Sequence, residues 1–223
     1  MGLSNDNKSS KTFLNIVSGK FAHRVPEGTE GAVSRKNKKD ALVWEKMYDS
    51  LSGQISSMKI EKDDYGKHLA IDVKSGIDTF QVQIPVDSKY FDTFCYKINN
   101  VDLSKEVKIV PYSFVAQDSG QKKSGLNIYQ GNKKIEHYYT KEDPKDKPVS
   151  PTFNGGDRVD DEEWKIFKLS ERKWMMNMIS NKSLSMANEV VKNTAPTMTA
   201  TEFYKPINPK AKFETQENSD LPF

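Results

Sequence analysis

Over most of the first 140 residues, hydrophobic and polar positions alternate with the two-residue period of a β-strand. In segment 42–48, for example, Leu42, Trp44 and Lys46 fall on one face of a strand and the residues between them on the other. Segments of this kind lie at 12–17, 20–25, 42–48, 54–60, 69–73, 79–84, 107–115, 126–130 and 134–139. The pattern therefore predicts a mainly β protein.

Two segments follow the period of a helix instead. Within residues 85–100, apolar side chains recur at the spacing of one helix face, and Ser88 is placed to cap that helix. Within residues 160–183, Asp160 and Glu163 form a potential capping box ahead of a broad apolar stripe. The members of that stripe are Trp164, Phe167, Trp174, Met175, Met178 and Ile179.

Changes in composition divide the chain into five parts. Residues 1–10 are small and polar, which predicts a disordered N-terminus, and the strand-rich part then spans 11–145. A linker containing prolines and paired glycines covers 146–159 and leads into the helix of 160–183. Residues 184–223 are rich in Thr, Asn and Pro with little hydrophobic pattern, which predicts a disordered tail.

The order of the elements predicts an OB-fold. Several strands are followed by one helix and then by more strands, which is the order of a five-stranded OB-fold barrel with its helix between strands 3 and 4. A β-sandwich or an SH3-like barrel would fit the strands but fits the helix less easily. OB-folds often bind oligonucleotides or oligosaccharides, although a fold alone does not define a function.

Composition narrows the classes of function. The 223 residues are 35% hydrophobic and 29% charged, yet 10% are aromatic, which is enough for a core with polar appendages. The single cysteine, Cys95, excludes an intramolecular disulfide, and three scattered histidines argue against a metal site. Neither a signal peptide nor a membrane span is expected from the apolar runs. With no catalytic constellation or phosphate-binding glycine loop, we expect neither an enzyme nor a cofactor.

The chemistry of the strand-rich part suggests binding to single-stranded nucleic acid. Such binding needs cations for phosphates and flat side chains on which bases stack, and this chain interleaves the two. Four cations in the basic segment 35–39 indicate a phosphate clamp, although a solvated loop is the alternative. The candidate binding residues are Arg35, Lys36, Lys38, Lys39, Trp44, Tyr48, Lys108, Tyr112, Lys122, Lys123 and Tyr129.

The segment Asp220-Leu221-Pro222-Phe223 carries a family resemblance. It resembles the acidic tip of bacterial single-stranded DNA-binding proteins, which closes with Asp-Ile-Pro-Phe. Segments 13–20 and 30–48 make the body similar to the OB-fold single-stranded DNA-binding proteins of tailed phages. The resemblance implies binding of single-stranded DNA without sequence preference, in replication, recombination and repair. It also implies that Asp220, Leu221, Pro222 and Phe223 bind partner proteins, and a phage protein would act in the cytoplasm of its bacterial host.

The sequence is also compatible with two other functions. The first is an RNA-binding OB-fold or cold-shock-like protein with an RNA chaperone role, which would use the same cations and aromatic side chains. The second is a protein-interaction adaptor that binds through the Trp-rich helix of 160–183 and does not bind nucleic acid. The sequence leaves the oligomeric state undefined.

Overall fold

The structure is a computed structural model that describes residues 11–37, 39–64, 66–140, 143–151 and 160–194, with side chains described as far as residue 186. It contains ten strands and two α-helices, and a short 3-10 turn, Ile98–Asn100, follows the first helix. The strands are β1 (Thr12–Val17), β2 (Lys20–Val25), β3 (Val33–Lys36), β4 (Leu42–Tyr48), β5 (Leu51–Asp63), β6 (Gly66–Ser75), β7 (Asp78–Pro85), β8 (Glu106–Val115), β9 (Lys122–Gln130) and β10 (Lys133–Lys134). The helices are α1 (Lys89–Lys97) and α2 (Asp161–Thr194).

All ten strands belong to one sheet, in the order β10-β9-β8-β5-β6-β7-β1-β2-β4-β3. Every neighbouring pair is antiparallel except β1 and β7, which run parallel with Leu14 opposite Val82. The prediction of a mainly β protein is confirmed.

The prediction of a five-stranded OB-fold barrel is wrong. The sheet is open and mixed, and α1 lies between the seventh and eighth strands of the chain instead of between a third and a fourth. The difference arises because β1 pairs with β7, which adds the hairpin of β1 and β2 and then β4 and β3 to the sheet. A pairing between residues about 70 positions apart leaves no local trace in the sequence.

The sheet curves so that the tight turn between β1 and β2 reaches β8. Ser18 and Gly19 both have positive φ, at 50° and 80°, as the two-residue turn of a twisted hairpin requires. A Cβ on Gly19 would collide with the backbone of Tyr112 and Ser113, so only glycine permits this approach. The amide of Gly19 also donates a hydrogen bond of 3.1 Å to the Tyr90 hydroxyl on α1.

The core lies between the inner face of the sheet and α1. Phe91, Phe94 and Ile98 from α1 and the turn after it are fully buried against apolar side chains of β5 to β9. The predicted cap is confirmed, because the Ser88 hydroxyl accepts the backbone N–H of Phe91 at 3.3 Å. Predicting the helix from its apolar spacing was therefore sound.

Helix α1 also covers part of the edge of β9. The backbone N–H of Leu126 donates to the Thr93 hydroxyl at 2.9 Å, and the Lys97 ammonium donates to the Leu126 carbonyl at 2.8 Å. Burial lowers the pKa of Lys97, and the neighbouring charge of Lys134 lowers it further. These side chains satisfy backbone groups that an open sheet edge would otherwise leave unpaired.

Helix α2 packs against the body through its predicted stripe and extends beyond the predicted end at residue 183. Phe167, Met175 and Ile179 are buried, and the helix lies against α1 and β5. Glu171, also buried, accepts a hydrogen bond of 2.7 Å from the Tyr96 hydroxyl. The Arg172 guanidinium pairs with Asp92 on α1 at 2.6 Å. No helix within the described residues is long and apolar enough to cross a membrane.

Candidate nucleic-acid interface

The hairpin of β8 and β9 has one face in the core and one face turned outward. Val107, Ile109 and Pro111 of β8 are buried, so the residues between them alternate to the outward face. On β9 the inward positions are Leu126 and Ile128, both fully buried. The outward residues of the two strands are Lys108, Val110, Tyr112, Phe114, Lys123, Gly125, Asn127 and Tyr129, and we call this surface the β8–β9 face.

Cations and aromatic rings are directly paired across the strands of the β8–β9 face. Phe114 lies opposite Lys123, and Lys108 lies opposite Tyr129. On the other side of Tyr129 the register continues to Lys134 of β10, so this tyrosine is flanked by a lysine on each neighbouring strand. Directly opposite residues of antiparallel strands have Cβ atoms about 5 Å apart, so each ring has an ammonium group within reach of a phosphate next to a stacked base.

The ring of Tyr112 lies across Gly125, the residue opposite it. A Cβ built on Gly125 would come within 2.6 Å of the Tyr112 hydroxyl and 2.9 Å of the adjacent ring carbon. The Phe114 ring follows at a centroid distance of 5.9 Å and an angle of 36°. Glycine thus lets Tyr112 lie close to the sheet, and the half-buried tyrosine and exposed phenylalanine form two adjacent ring surfaces.

The lysines of this region are not engaged in ion pairs with other described residues. This holds for Lys108, Lys123 and Lys134, whereas Lys105 nearby pairs with Asp102 at 2.9 Å. Lys108 and Tyr129 also line a surface depression of about 310 Å³ together with Val110. Lysines without an ion-pair partner among the described residues thus lie beside two half-buried rings and one exposed ring, an arrangement suited to the backbone and bases of a single strand.

The basic segment 35–39 is arranged differently from the predicted loop clamp. Arg35 and Lys36 lie in β3, and Arg35 donates to both carboxylate oxygens of Glu45 on β4, at 2.6 and 2.7 Å. Glu45 is only 4% exposed, so Arg35 neutralises a buried charge. Lys38 lies outside the described residues, and Lys39 is exposed near the following turn. A phosphate contact by these four residues stays a prediction, and the Glu45 pair disfavours it for Arg35.

Replacing Arg35 should therefore affect folding more than binding. We expect Arg35→Ala to lower the free energy of unfolding by about 2 kcal/mol, because Glu45 would be left buried with its hydrogen bonds lost. The matched control is Lys36→Ala on the same short strand, which should change stability by less than about 0.5 kcal/mol. Urea unfolding measures both. Equal stabilities for the two variants would show that the Arg35–Glu45 pair contributes nothing.

Trp44 and Tyr48 lie on β4 and are not part of the β8–β9 face. In the strand order, five strands separate β4 from β8, and both aromatic residues lie on the opposite strand face from Glu45. Trp44 is half-buried opposite Val25, and Tyr48 is 44% exposed opposite Phe21. The turn after Tyr48 leads directly into β5, where Leu51 pairs with Ile109 of β8. The structure therefore places neither of these two predicted stacking residues on the β8–β9 face, although Tyr48 lies near its margin.

Sequence reasoning omitted two residues on or beside the β8–β9 face and, on β9 itself, included one that points to the other side. Phe114 and Lys134 were not predicted as binding residues, whereas Lys122 alternates to the other side of the hairpin, opposite Val115. Phe114 had a usable signal, since it has the same strand parity as Lys108 and Tyr112. Lys134 had none, because its position beside Tyr129 depends on the two-residue strand β10.

Two predictions remain, the partner-binding segment and the expected lack of a metal site. The partner-binding residues Asp220, Leu221, Pro222 and Phe223 lie outside the described residues. Among the residues that are described, no group of three or more His, Cys, Asp or Glu side chains could hold a metal ion.

Comparison with known proteins finds no match among protein-family models, curated proteins or solved structures. The function is therefore inferred from the residues of the chain.

Proposed function

We propose that this protein binds single-stranded DNA without sequence preference, through the β8–β9 face. The observation that carries the proposal is the cross-strand pairing of Phe114 with Lys123 and of Tyr129 with Lys108 and Lys134. Aromatic side chains stack on any base, because every base has a π-face. Lysine ammonium groups contact phosphates as point charges, which carries no sequence information.

The proposal extends to a cellular role that rests on the sequence. The resemblance to phage and bacterial single-stranded DNA-binding proteins supports action in DNA replication, recombination and repair. The segment Asp220–Phe223 would recruit partner proteins there, since an aromatic ring flanked by carboxylates fits an apolar pocket with a basic rim. The packing of Phe167, Met175 and Ile179 against the body favours this function over an adaptor that binds partners through the same stripe.

The salt dependence of binding tests the assignment of the lysines. Each ammonium that neutralises a phosphate of a single strand contributes about 0.7 to the slope of log affinity against log salt concentration. We expect the double variant Lys108→Ala with Lys123→Ala to reduce that slope for oligo-dT by roughly 1.4, which is two such contributions. Fluorescence anisotropy of a labelled oligo-dT over a series of salt concentrations gives the slope.

The control is Lys105→Ala, which removes an exposed lysine already paired with Asp102. It should leave the slope close to that of the unaltered protein. A slope that stays constant in the double variant would remove the β8–β9 face from the binding surface. Tighter binding to oligo-rU than to oligo-dT would favour an RNA-binding function, and no binding to either would contradict the proposal as a whole.

A further inference from the structure

A second feature with the chemistry of a binding site lies beside the β1–β2 hairpin. It is a pocket of about 450 Å³ bounded by β1, β2, β7 and the turn between β4 and β5, and we call it the hairpin pocket. Its lining residues are Thr12, Leu14, Phe21, His23, Tyr48, Ser50, Leu51, Ser52, Ser75 and Phe80. The volume lies in the range of about 300–1,000 Å³ that is usual for small-ligand pockets.

The lining of the hairpin pocket combines flat apolar walls with hydroxyl groups. The rings that a ligand can contact are those of Phe80, which is half-buried, and Tyr48, which is exposed, whereas Phe21 is fully buried. Ser50 and Ser75 add half-buried hydroxyl groups, which donate or accept hydrogen bonds. A flat ligand with a polar edge fits such walls, because its faces contact rings while its edge meets hydroxyls.

Charges of both signs border the hairpin pocket. Lys46 lies directly opposite the lining residue His23 in the pairing of β2 with β4. Asp78 lies opposite the lining residue Ser75, and Asp49, between Tyr48 and Ser50, pairs with Lys20 at 2.9 Å. The Lys46 ammonium forms no ion pair with another described residue. A ligand with a flat ring and an attached anionic group would therefore contact the walls with its ring and Lys46 with its anionic group.

The hairpin pocket is connected to the β8–β9 face by the register of three strands. Ser52, which lines the pocket, lies directly opposite Lys108, and Lys108 lies opposite Tyr129. Neighbouring strands are about 4.8 Å apart, so Tyr129 is separated from Ser52 by roughly 10 Å across the sheet. A strand bound on the β8–β9 face can therefore continue to the mouth of the pocket.

We infer that the hairpin pocket takes up one nucleobase of the bound strand, turned out of the stack, with its faces against Tyr48 and Phe80. This inference rests on the proposed function and adds a site to it. Turning a base out is inexpensive in a single strand, which has no pairing partner to lose. A phosphate next to that base lies toward Lys46.

The experiment fills the pocket and measures binding to oligo-dT. Ser50→Trp places a bulky side chain among the lining residues, and its matched control is Ser180→Trp on an exposed position of α2. One stacked base corresponds to an affinity change of roughly 5- to 150-fold. We expect Ser50→Trp to lose that much affinity for oligo-dT and Ser180→Trp to bind like the unaltered protein.

A second variant tests the hairpin pocket independently, in case the Ser50→Trp protein does not fold. Tyr48→Ala truncates an exposed side chain of the pocket, so its fold should persist, and it should weaken binding in the same direction. If Tyr48→Ala and any folded Ser50→Trp protein bind as tightly as the unaltered protein or tighter, while Phe114→Ala weakens binding, the pocket inference is overturned and the proposed function stands. If the unaltered protein does not bind oligo-dT, the proposed function itself fails.

Discussion

Phe114→Ala is expected to weaken binding to oligo-dT by about 1–3 kcal/mol, the contribution of one base stacked on an aromatic side chain. Phe114 is 52% exposed at the outer end of the β8–β9 face, so truncating it opens no cavity in the core. The loss should therefore appear in affinity and leave the free energy of unfolding nearly unchanged. Anisotropy titration and urea unfolding of the same preparation separate the two effects.

The chain offers a closely matched control in Phe13. This residue is also a phenylalanine on a strand and is also 52% exposed, but it lies on β1, away from the β8–β9 face. Phe13→Ala should bind oligo-dT with unchanged affinity. Equal losses in the two variants would show that Phe114 acts only as general apolar surface and that the β8–β9 face is not a stacking platform.

Glu171→Ala is expected to produce the largest loss of stability among the variants considered, about 3 kcal/mol. Glu171 is 6% exposed and holds α2 to the body by accepting from Tyr96 at 2.7 Å and pairing with Lys147 at 3.2 Å. Its removal leaves the Tyr96 hydroxyl and the Lys147 ammonium without their acceptor. The measurement is urea unfolding, with Glu162→Ala on the exposed first turn of α2 as the control.

The same contact makes the docking of α2 dependent on pH. Burial by itself would raise the pKa of Glu171, but the hydrogen bonds from Tyr96 and Lys147 outweigh it and lower the pKa below its ordinary value of 4.5. A carboxyl group with a lowered pKa stabilises the folded state above its unfolded pKa. This contribution is lost as the pH falls through the folded-state pKa. In Glu171→Ala, the unfolding free energy should vary less below pH 4.5 than in the unaltered protein.

Local features of the fold were predictable from the sequence. The helical spacing of Phe91, Phe94 and Ile98 predicted α1 and its buried face, and the position of Ser88 predicted the cap of this helix. The apolar stripe of α2 likewise identified the residues that pack on the body. These predictions succeed because a helix brings residues three and four positions apart to one face. The pattern of a helix can therefore be recognised within a short stretch of sequence.

The sheet was not predictable because its pairings are not local. The parallel pairing of β1 with β7 joins residues far apart in sequence and turns an expected five-stranded barrel into a ten-stranded sheet. Strand β3 lies within a segment whose glycines and lysines indicate a loop, and its pairing partner β4 makes it a strand. Strand pairing depends on context more than helix formation does, so propensity alone does not reveal it.

For the candidate site, too, the composition of the strands was informative, whereas the strand register could not be predicted from the sequence. Interleaved lysines and aromatic residues in the sequence pointed to Lys108, Tyr112, Lys123 and Tyr129, which the structure places on one face. Sequence could not show that Arg35 is held by Glu45, or that Trp44 and Tyr48 lie on β4, outside the β8–β9 face. Those facts follow from the register of β3 and β4 and from the order of the strands.

Photochemical crosslinking tests the central proposal most directly. A single-stranded oligo-dT carrying photoreactive thymine analogues is bound to the full chain, irradiated, and the crosslinked residues are identified by mass spectrometry. The β8–β9 face predicts crosslinks at Tyr112, Phe114 and Tyr129, and the hairpin pocket predicts a further one at Tyr48. Crosslinks confined to residues outside β8 and β9, from a complex shown to be saturated, would contradict the assignment of this face as the binding surface.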